Sequence, residues 1–579
     1  MQDFLGIDLF NYHRRIASVV KIGDIPMGGT NPIRLQSMTN TPTLNTLATV
    51  EQCKRVFVAG ADYVRITTPG IRDAENLKEI KKELLKAGYK KPLVADVHFN
   101  PDVAELAAQI VEKVRINPGN YVDKKRSGQV CYDEKEYKFE LERIYERVLP
   151  LLTICKQHGT AIRVGVNHGS LSDRIMNRYG DTPEGMVESA MEFLRIFDAE
   201  SFKQTVISMK SSNTRVMVQS TRLLVKRMLE EGMNYPVHLG VTEAGEGEDG
   251  VIKSAVGISA LLADGIGETI RVSLTGDPEQ EIPVARNIVE CISQRKKHKP
   301  IISSAQFNFS PYSYHRRETE EVNRIGGNHT HAVVAADLKM IPSENDLYFY
   351  PEDQSRILFR SGTTMQVDYS LAANGQLDAD ETSGKIVIIP SGNDNSLGEA
   401  RKLISQLQAD KLKSPVIFRK LYNEKHLENL NVKAACDFGP LLIDGLIDGV
   451  WIENEDSAIC NGDIYQLSLS LLQASRLRMS KTEYISCPSC GRTLFDLSAT
   501  TAKIREQTSH LKHLKIGIMG CIVNGPGEMA DADYGYVGTG AGKITLYKNK
   551  TVVKRNIPEE NAVKELIDLI KENGDWVDV

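Results

Sequence analysis

Short apolar runs alternate with longer amphipathic stretches through residues 33–291 of the chain. Such runs are typical of buried parallel strands, and the stretches between them have a helical period. The predicted helices include residues 74–87, 137–157, 183–197 and 221–231. The predicted strands cover residues 34–38, 63–67, 93–97, 113–116, 161–166, 204–209, 237–241 and 269–274. Eight such units favour an α/β fold of the (β/α)8 barrel type. An open doubly wound sheet is the alternative, although no strand is followed by Gly-x-Gly-x-x-Gly.

The composition is that of an ordinary soluble globular protein, with 41% hydrophobic and 25% charged residues. A chain of 579 residues has room for two to four domains. The net charge of −5 gives no general attraction to nucleic acid or to anionic membranes. No apolar run reaches the roughly 18 residues of a membrane span, and the first residues resemble neither a signal nor a transit peptide. We therefore expect a cytoplasmic protein that binds neither nucleic acid nor membrane.

Four of the predicted strands carry an arginine between branched apolar residues: Arg65, Arg115, Arg163 and Arg271. Because side chains alternate across a strand and the apolar neighbours face the helices, each arginine should point into the barrel. A structural ion pair explains one such residue. Burying four converging guanidiniums without a counter-charge would be too costly, so they need an anion. Planar donor forks suit phosphate oxygens, which predicts a phosphorylated or diphosphate ligand.

Polar side chains follow the same strands, at the barrel face where enzymes of this fold place their active sites. Asp96 and His98 lie in Ala-Asp-Val-His-Phe, and Glu243 stands in Val-Thr-Glu-Ala-Gly. Glu243 should stay ionised beside so much positive charge unless desolvation of its carboxyl group outweighs that effect, and it is the candidate proton donor or acceptor. His98 as a satisfied core histidine, and Lys210 as a solvated strand end, are the alternatives. The further binding candidates are Asn117, Asn167, Lys210 and Ser273.

A second group of candidate residues lies between Cys487 and Glu528. The two-residue gap between Cys487 and Cys490 lets both sulfurs turn toward one metal centre, and Cys521 follows a strand-like run at 515–519. Three thiolates in such a chain indicate a metal site rather than a disulfide framework. The turn at 524–527 folds the chain back and delivers Glu528 as candidate fourth ligand. Its hard, exchangeable carboxylate would leave an iron that a substrate oxygen could take over.

A zinc-ribbon knuckle is the alternative for Cys487-Pro-Ser-Cys490-Gly. A ribbon needs a second Cys-x-x-Cys pair, and none follows in the sequence. His510 or His513 would then complete a site of three cysteines and one histidine. Spacing favours an iron–sulfur cluster over zinc but leaves both open.

Six motifs occur in one order: Gln-Ser-Met-Thr-Asn (36–40), Ala-Asp-Val-His-Phe (95–99), Arg-Ile-Asn-Pro-Gly-Asn (115–120), Thr-Glu-Ala-Gly (242–245), Cys-Pro-Ser-Cys (487–490) and Gly-Cys-Ile-Val-Asn-Gly-Pro-Gly-Glu (520–528). In this order they closely resemble the 4-hydroxy-3-methylbut-2-enyl diphosphate synthase family, the iron–sulfur enzymes of the non-mevalonate isoprenoid pathway. The resemblance covers residues 5–297 and 479–550. It implies the substrate 2-C-methyl-D-erythritol 2,4-cyclodiphosphate and ferredoxin or flavodoxin as electron donor. It also implies a 4Fe-4S cluster held by Cys487, Cys490, Cys521 and Glu528.

The expected reaction is reductive ring opening followed by loss of one hydroxyl as water. The arginines, with Asn117, Asn167, Lys210 and Ser273, are expected to clamp the cyclic diphosphate. Glu243 is the favoured proton source, and Asp96 and His98 are expected to position the substrate. Asn524, near the metal turn, is expected to orient the leaving hydroxyl.

A long insertion at 298–478 departs from the short bacterial pattern and resembles the three-domain, plant-like form of the family. Its strand–helix pairs, 385–390 with 397–407, 416–419 with 424–430 and 449–453 with 464–477, predict a degenerate barrel-like α/β domain without an anion pocket. An unrelated decorative domain is the alternative. The predicted domains are a barrel at 1–297, the insertion at 298–478 and a cluster domain at 479–579. By resemblance, the cluster domain is an α+β module of sulfite/nitrite reductase type.

In the short form of the family, the cluster domain closes over the barrel of another subunit. We expect the insertion to let it close on its own chain's barrel, in a monomer or homodimer. Two rival functions remain at this point. One is a non-redox, pterin-diphosphate transferase-like barrel with a zinc-binding C-terminal domain, and the other is a zinc-ribbon nucleic-acid-binding protein. The cluster region lacks the basic, aromatic-interleaved face that nucleic-acid binding would need.

Overall fold

The computed structural model describes residues 8–123, 132–303, 307–335, 346–349, 356–359, 364–366, 369–371, 384–488, 490–522, 527, 529 and 531–578. These residues fall into two compact units. The insert unit lies within Met1–Arg15, Val251–Ile266 and Asn287–Ser480. The barrel unit lies within Ile16–Gly250, Gly267–Arg286 and Lys481–Val579, so it holds most of the predicted barrel and the C-terminal domain, while Val251–Ile266 belongs to the insert unit. The predicted domain limits, 1–297, 298–478 and 479–579, stay a prediction.

Eight parallel strands pair in chain order from β3 to β10, and a bridge between Ile207 and Val237 joins the two ends of the sheet. The predicted (β/α)8 barrel is therefore confirmed. A short antiparallel hairpin, β1 with β2, precedes it. The strands are β1 Val20–Ile22, β2 Ile25–Met27, β3 Arg34–Met38, β4 Tyr63–Thr67, β5 Leu93–Asp96, β6 Lys113–Ile116, β7 Ala161–Asn167, β8 Thr205–Lys210, β9 His238–Leu239 and β10 Thr269–Ile270.

Helices alternate with these strands, and their ends carry the expected caps. In α5, the Asp133 carboxylate accepts from the main-chain nitrogen of Glu136 at 2.7 Å, and the Glu136 side chain accepts from Asp133 in return at 3.1 Å. The same helix ends at Gly159 in the left-handed region. The helices are α1 Thr46–Ala59, α2 Ile71–Lys86, α3 Pro101–Ala108, α4 Pro118–Tyr121, α5 Glu134–His158, α6 Asp173–Tyr179, α7 Pro183–Ala199, α8 Thr214–Glu230, α9 Gly247–Ala263 and α10 Glu281–Gln294.

The bottom of the barrel is filled by apolar side chains. Val20, Ile22 and Met27 of the β1–β2 hairpin are fully buried against the lumenal side chains of the strands, with Tyr63, Val94, Ala161 and Val206 in the same cluster. Burying each such side chain contributes roughly 1.5–3 kcal/mol. The hairpin therefore closes one end of the barrel and leaves the carboxyl ends of the strands for a site.

Six predicted strands agree with the structure to within one residue at each end. The last two are shorter than predicted, because pairing stops at Leu239 and Ile270. The residues that follow leave the sheet and form part of a cavity wall, to which Thr242 and Ser273 contribute.

The insert unit contains a mixed sheet of eight strands in the order β14-β13-β12-β11-β18-β17-β16-β15. The pairs from β15 to β12 are parallel, and those from β12 to β14 are antiparallel. Ile325, Val334, Ile388, Ile417 and Trp451 form part of its apolar core, which agrees with the predicted α/β domain. The elements are β11 Ala332–Ala335, β12 Leu347–Phe349, β13 Arg356–Phe359, β14 Thr364–Gln366, β15 Tyr369–Leu371, β16 Ile386–Pro390, β17 Val416–Tyr422, β18 Gly449–Asn454, α11 Ser396–Ala409, α12 Leu427–Ile443 and α13 Asn461–Ala474.

The C-terminal part of the barrel unit is an α+β domain. Its sheet has the order β19-β20-β21-β22-β23, with parallel pairs among the first three strands and antiparallel pairs among the last three. The elements are β19 Glu483–Ser486, β20 Lys515–Met519, β21 Tyr534–Gly540, β22 Lys543–Lys548, β23 Thr551–Pro558, α14 Leu497–Thr508 and α15 Glu559–Glu572. Since β19 and β20 are parallel neighbours, Cys487 and Cys521 follow adjacent strand ends. The likeness to sulfite and nitrite reductases stays a prediction.

Candidate functional site

One cavity lies at the carboxyl ends of the barrel strands. It is lined by residues of both the barrel and the C-terminal domain. It measures about 720 Å³ including its open mouth. Twelve of the sixteen predicted site residues line it: Arg65, Asp96, Arg115, Arg163, Asn167, Lys210, Glu243, Arg271, Ser273, Cys487, Cys490 and Cys521. Five cations among them form what we call the phosphate clamp: Arg65, Arg115, Arg163, Lys210 and Arg271.

Asp96 is the centre of the charged network on one side of the cavity. Its carboxylate accepts from Arg65 Nη2 at 3.1 Å and from Arg115 Nη1 at 3.2 Å. His98 Nε2 lies 3.5 Å away, and Arg492 Nη1 lies 3.6 Å away. Burial alone would raise the pKa of Asp96, but the charges of Arg65 and Arg115, with a side-chain hydrogen bond from His98, hold it well below its ordinary value. The carboxylate is therefore ionised in the physiological range.

Arg271, on the opposite side, has a carboxylate of its own. Its Nε and Nη2 donate to the two oxygens of Glu281 at 3.1 and 3.0 Å. Ser37 Oγ donates to the same carboxylate at 2.7 Å, and the main-chain nitrogen of Leu274 donates at 3.2 Å. This two-pronged contact fixes the plane of the guanidinium.

Arg163 differs from the other three arginines of the clamp. It is 1% exposed, and its Nε and Nη1 have no hydrogen-bond partner in the described part of the chain. Burial, reinforced by the charges of Arg65 and Arg115, lowers its pKa well below the ordinary value. The pKa of Lys210 is likewise lowered well below its ordinary value, first by burial and then by Arg163 and Arg271. The sequence predicted four arginines without counter-charges; three have a carboxylate partner, and the site still holds an excess of positive charge.

Glu243 lines the cavity in a strained backbone conformation. Its side chain is nearly fully buried, and its φ of 46° lies in the left-handed region, which non-glycine residues seldom adopt. Such strain persists at sites where the surrounding structure fixes a functional side chain. In this conformation Glu243 forms part of the cavity wall, together with Thr242 and Cys487.

His98 and Asn117 take supporting places. Burial and the charge of Arg115 lower the pKa of His98 to about 3, so the ring is neutral. Its Nε2 contacts Arg115 Nη1. The side-chain oxygen of Asn117 accepts from Gly119 at 3.2 Å and caps α4, while its amide nitrogen has no hydrogen-bond partner within the described residues. Asn167 Oδ1 accepts from Arg115 Nη2 at 3.2 Å.

The three predicted thiolate ligands meet at the top of the cavity. Cys487, Cys490 and Cys521 all line it, and Thr275 Oγ1 donates to the Cys487 carbonyl at 3.2 Å. Asn524 and Glu528 lie outside the described residues. Gly527, directly before Glu528, is described: a Cβ there would stand 1.6 Å from the carbonyl oxygen of Gly169, in the loop after β7. Gly527 itself therefore lies against the barrel mouth.

The zinc alternative finds no support in the positions of the two histidines. His513 Nε2 lies 3.2 Å from the carbonyl oxygen of Asp575, and His510 packs edge-on against Trp576. Across the described ranges, no three His, Cys, Asp or Glu side chains converge as they would on a single metal ion.

Two functional residues were missed by the sequence argument. Arg492 lines the cavity and contacts Asp96, and its position two residues after Cys490 was the available signal. Glu281 holds Arg271, but it opens a helix beyond the strand and carries no local motif. Only the contact with Arg271 shows that Glu281 fixes the position of that guanidinium.

Two family models match the chain: a GcpE TIM-barrel domain over residues 17–286 and a GcpE protein C-terminal domain over residues 483–572. The 4-hydroxy-3-methylbut-2-en-1-yl diphosphate synthase (flavodoxin) of Bacteroides fragilis is 52% identical over 98% of this chain and 97% of its own length. The enzyme of the same name from Phocaeicola vulgatus is 52% identical over 99% of this chain and 100% of its own. That of Akkermansia muciniphila is 43% identical over 98% of each.

Proposed function

Since the chain belongs to the GcpE family of 4-hydroxy-3-methylbut-2-en-1-yl diphosphate synthases, we propose how its own residues carry out that reaction. The chain is an enzyme of isoprenoid-precursor biosynthesis, as its six motifs predicted. It converts 2-C-methyl-D-erythritol 2,4-cyclodiphosphate, two electrons and two protons into 4-hydroxy-3-methylbut-2-enyl diphosphate and water. The observation that carries the assignment of residues is the single cavity that the clamp and the three cysteines share.

Cys487, Cys490 and Cys521 would hold the iron–sulfur cluster, with Glu528 as fourth ligand. The donor set supports this assignment, because soft thiolates select iron–sulfur clusters and all three line one cavity. Gly527, the residue before Glu528 in the sequence, lies against Gly169 at the barrel mouth, which supports the choice of Glu528 as fourth ligand. When bound, a 4Fe-4S cluster supplies the two electrons in single steps.

The clamp binds the two phosphates and stabilises the charge that develops when the ring opens. Arg163 and Lys210 line the cavity, and burial and their cationic neighbours lower the pKa of both side chains, so the negative charge of a bound phosphate would favour their charged forms. Arg271, held flat by Glu281, presents a fixed donor fork, and Arg65 and Arg115 add two more. As the ring C–O bond breaks, the released phosphate oxygen gains negative charge, and these fixed donors stabilise it without reorganising.

Glu243 delivers the proton with which the departing hydroxyl leaves as water. Its burial in the cavity wall next to Cys487 and its fixed backbone support this role. Asp96 and neutral His98 hold Arg65 and Arg115 in place, so they position the substrate through the clamp. Asn117, Asn167 and Ser273 complete the binding residues, and Asn524 is proposed to orient the leaving hydroxyl.

We propose flavodoxin, named for the relatives, as the electron donor, with ferredoxin as the second choice. The cluster domain is proposed to act on the barrel of its own chain, because residues of both line the same cavity. Within the described helices, none combines the length and hydropathy of a membrane-crossing segment. Outside the proposed cluster, the described cysteines Cys53, Cys155, Cys291, Cys436 and Cys460 form no disulfide, which supports a reducing, cytoplasmic setting.

An anaerobic assay tests the proposal. The iron-loaded enzyme is mixed with the cyclodiphosphate and a chemical reductant, and the diphosphate product is quantified beside the iron content. We expect about four irons per chain and product that depends on the reductant. Arg163→Met should keep the iron and lose the product. Rapid turnover without a reductant, or an active enzyme without iron, would contradict the proposal.

A further inference from the structure

Arg492 stands between two cavities of the barrel unit. It lines the cavity that holds the phosphate clamp, and it also lines a second one of about 640 Å³, together with Phe99, Cys521 and Ile522. Its guanidinium reaches down into the barrel. Nη2 donates to the main-chain carbonyl of Asp96 at 3.2 Å, and Nη1 lies 3.6 Å from the Asp96 carboxylate. Arg492 thus joins residues 490–494, here called the cysteine loop, to Asp96, the carboxylate that holds Arg65 and Arg115 of the clamp.

The turn that carries Arg492 is shaped to lie against the barrel. A Cβ on Gly491 would stand 2.7 Å from the carbonyl oxygen of Thr41, so glycine is needed for this close approach. The main-chain nitrogen of Cys490 donates to Thr493 Oγ1 at 3.0 Å, and the nitrogen of Thr493 donates back to the Cys490 carbonyl at 2.9 Å. These two hydrogen bonds make the turn rigid, so a displacement of Arg492 also displaces Cys490.

Building on the proposed function, we propose that Arg492 is a positioning residue that couples binding of the diphosphate to closure of the cysteine loop. In the structure, the Asp96 carboxylate is shared among Arg65, Arg115 and Arg492. Phosphate oxygens that bind Arg65 and Arg115 compete with Asp96 for their donors. A carboxylate buried this deeply must keep a cationic partner. Arg492 is that partner, so its contact with Asp96 tightens when the clamp is occupied.

The coupling works in both directions. A ligand that strengthens the contact between Arg492 and Asp96 holds the cysteine loop down, and a loop held down keeps the ligand in the clamp. Linkage of this kind is typically worth about 5- to 150-fold in affinity. It also favours an order of events, because the bound diphosphate and the cysteine loop held against the barrel stabilise each other. Lysine at position 492 would keep the charge but lose the forked contact.

Hydrogen–deuterium exchange of the cysteine loop tests the proposal in the iron-loaded enzyme, with and without the cyclodiphosphate. The variants are Arg492→Ala and Arg492→Lys, and Arg555→Gln is the control, since Arg555 is an exposed cation on β23 of the same domain. We expect the diphosphate to protect the loop in the wild type and the control. Arg492→Ala should lose this protection and show a KM raised about 5- to 150-fold, with its visible spectrum and iron content unchanged. Arg492→Lys should lie between, and free guanidinium should partly restore the alanine variant.

Either of two results would overturn the coupling. One is loop protection and KM in Arg492→Ala equal to those of Arg555→Gln. The other is a loss of iron that matches the loss of activity and resists guanidinium, which would mean that Arg492 only maintains the cysteine loop. A wild-type enzyme that neither binds nor turns over the cyclodiphosphate would count against the proposed function instead.

Discussion

Arg163 and Arg271 enter the cavity from comparable strands but differ in their partners. Arg271 is matched by Glu281, whereas two nitrogens of Arg163 have no hydrogen-bond partner in the described residues. A buried charge without a partner lowers stability, and natural sites retain it where a ligand needs it. The difference separates an arginine whose position is fixed in advance from one whose charge is kept for the substrate.

We expect Arg163→Met and Arg271→Met to have opposite effects on stability. The first removes an uncompensated buried charge and should raise the melting temperature, while weakening cyclodiphosphate binding about 10- to 100-fold through lost charge-assisted contacts. The second leaves Glu281 buried without its cation and should cost about 3–5 kcal/mol. Thermal unfolding and calorimetric titration of both variants measure these effects. A fall in the melting temperature of Arg163→Met similar to that of Arg271→Met would contradict the distinction.

Glu243→Gln should keep the iron and the affinity for the cyclodiphosphate but lose proton delivery. General acid catalysis is worth about 100- to 10,000-fold, so kcat should fall within that range. Glu248→Gln is the matched control, because Glu248 lies exposed just beyond the same loop. Near-normal turnover of Glu243→Gln would refute the assignment of the proton source.

At the scale of elements, the sequence predicted the strands of the barrel well. Each strand is a short apolar run, which can be recognised from neighbouring residues alone. The inward direction of the four arginines followed from the same alternation. What it could not predict were contacts between distant segments, such as Glu281 with Arg271, or the use of Asn117 as a helix cap. The antiparallel strands β12–β14 of the insertion were also missed, since strands this short leave little periodic signal.

A pH-dependent contact joins the loop after β7 to the turn between β22 and β23. His168 Nε2 and Lys550 Nζ lie 2.9 and 3.0 Å from the two carboxylate oxygens of Asp181. Burial would lower the pKa of His168, but the hydrogen bond and charge of Asp181 outweigh it and raise the pKa above 6.5. Burial would raise the pKa of Asp181, but His168 and Lys550 lower it to about 2.

The stability that this contact contributes should therefore depend on pH on both sides. The histidine part is fully present below about pH 6.5 and is lost as the pH rises through the raised pKa. The aspartate part is present above about pH 3.8 and is lost as the pH falls through about 2. Melting temperatures of the wild type and His168→Gln, measured from pH 5 to 9, should differ most at the acid end and converge at the alkaline end. A constant difference would rule out this titration.

At the scale of the whole molecule, the proposed action of the cluster domain on its own barrel predicts the outcome of a mixing experiment. Chains with Cys521→Ser lack a cluster ligand, and chains with Arg163→Met have a weakened clamp. Because each active site would draw both parts from one chain, the mixture should stay inactive in the anaerobic assay. Recovery of activity well above that of either variant would show that the parts combine between subunits.

The insertion is a second α/β sheet whose core is apolar where the catalytic barrel is charged. Ile388, Ile417 and Trp451 belong to that core, and Arg419 of β17 is paired with Glu453 at 2.7 Å. The sequence anticipated this contrast, because the insertion's strands lack arginine between branched residues. The family and the reaction of the protein were predictable because six motifs carry them. The roles proposed for Asn524 and Glu528 depend only on their positions in the sequence.

The hairpin at the bottom of the barrel closes one end of the reaction chamber. Val20, Ile22 and Met27 fill the bottom, so the doorway for reactant and product lies at the other end of the barrel, where the cysteines line the cavity. Every catalytic cycle then requires that doorway to open for departure as well as for arrival. The pace of the enzyme is bounded by this movement, however fast the bonds themselves rearrange.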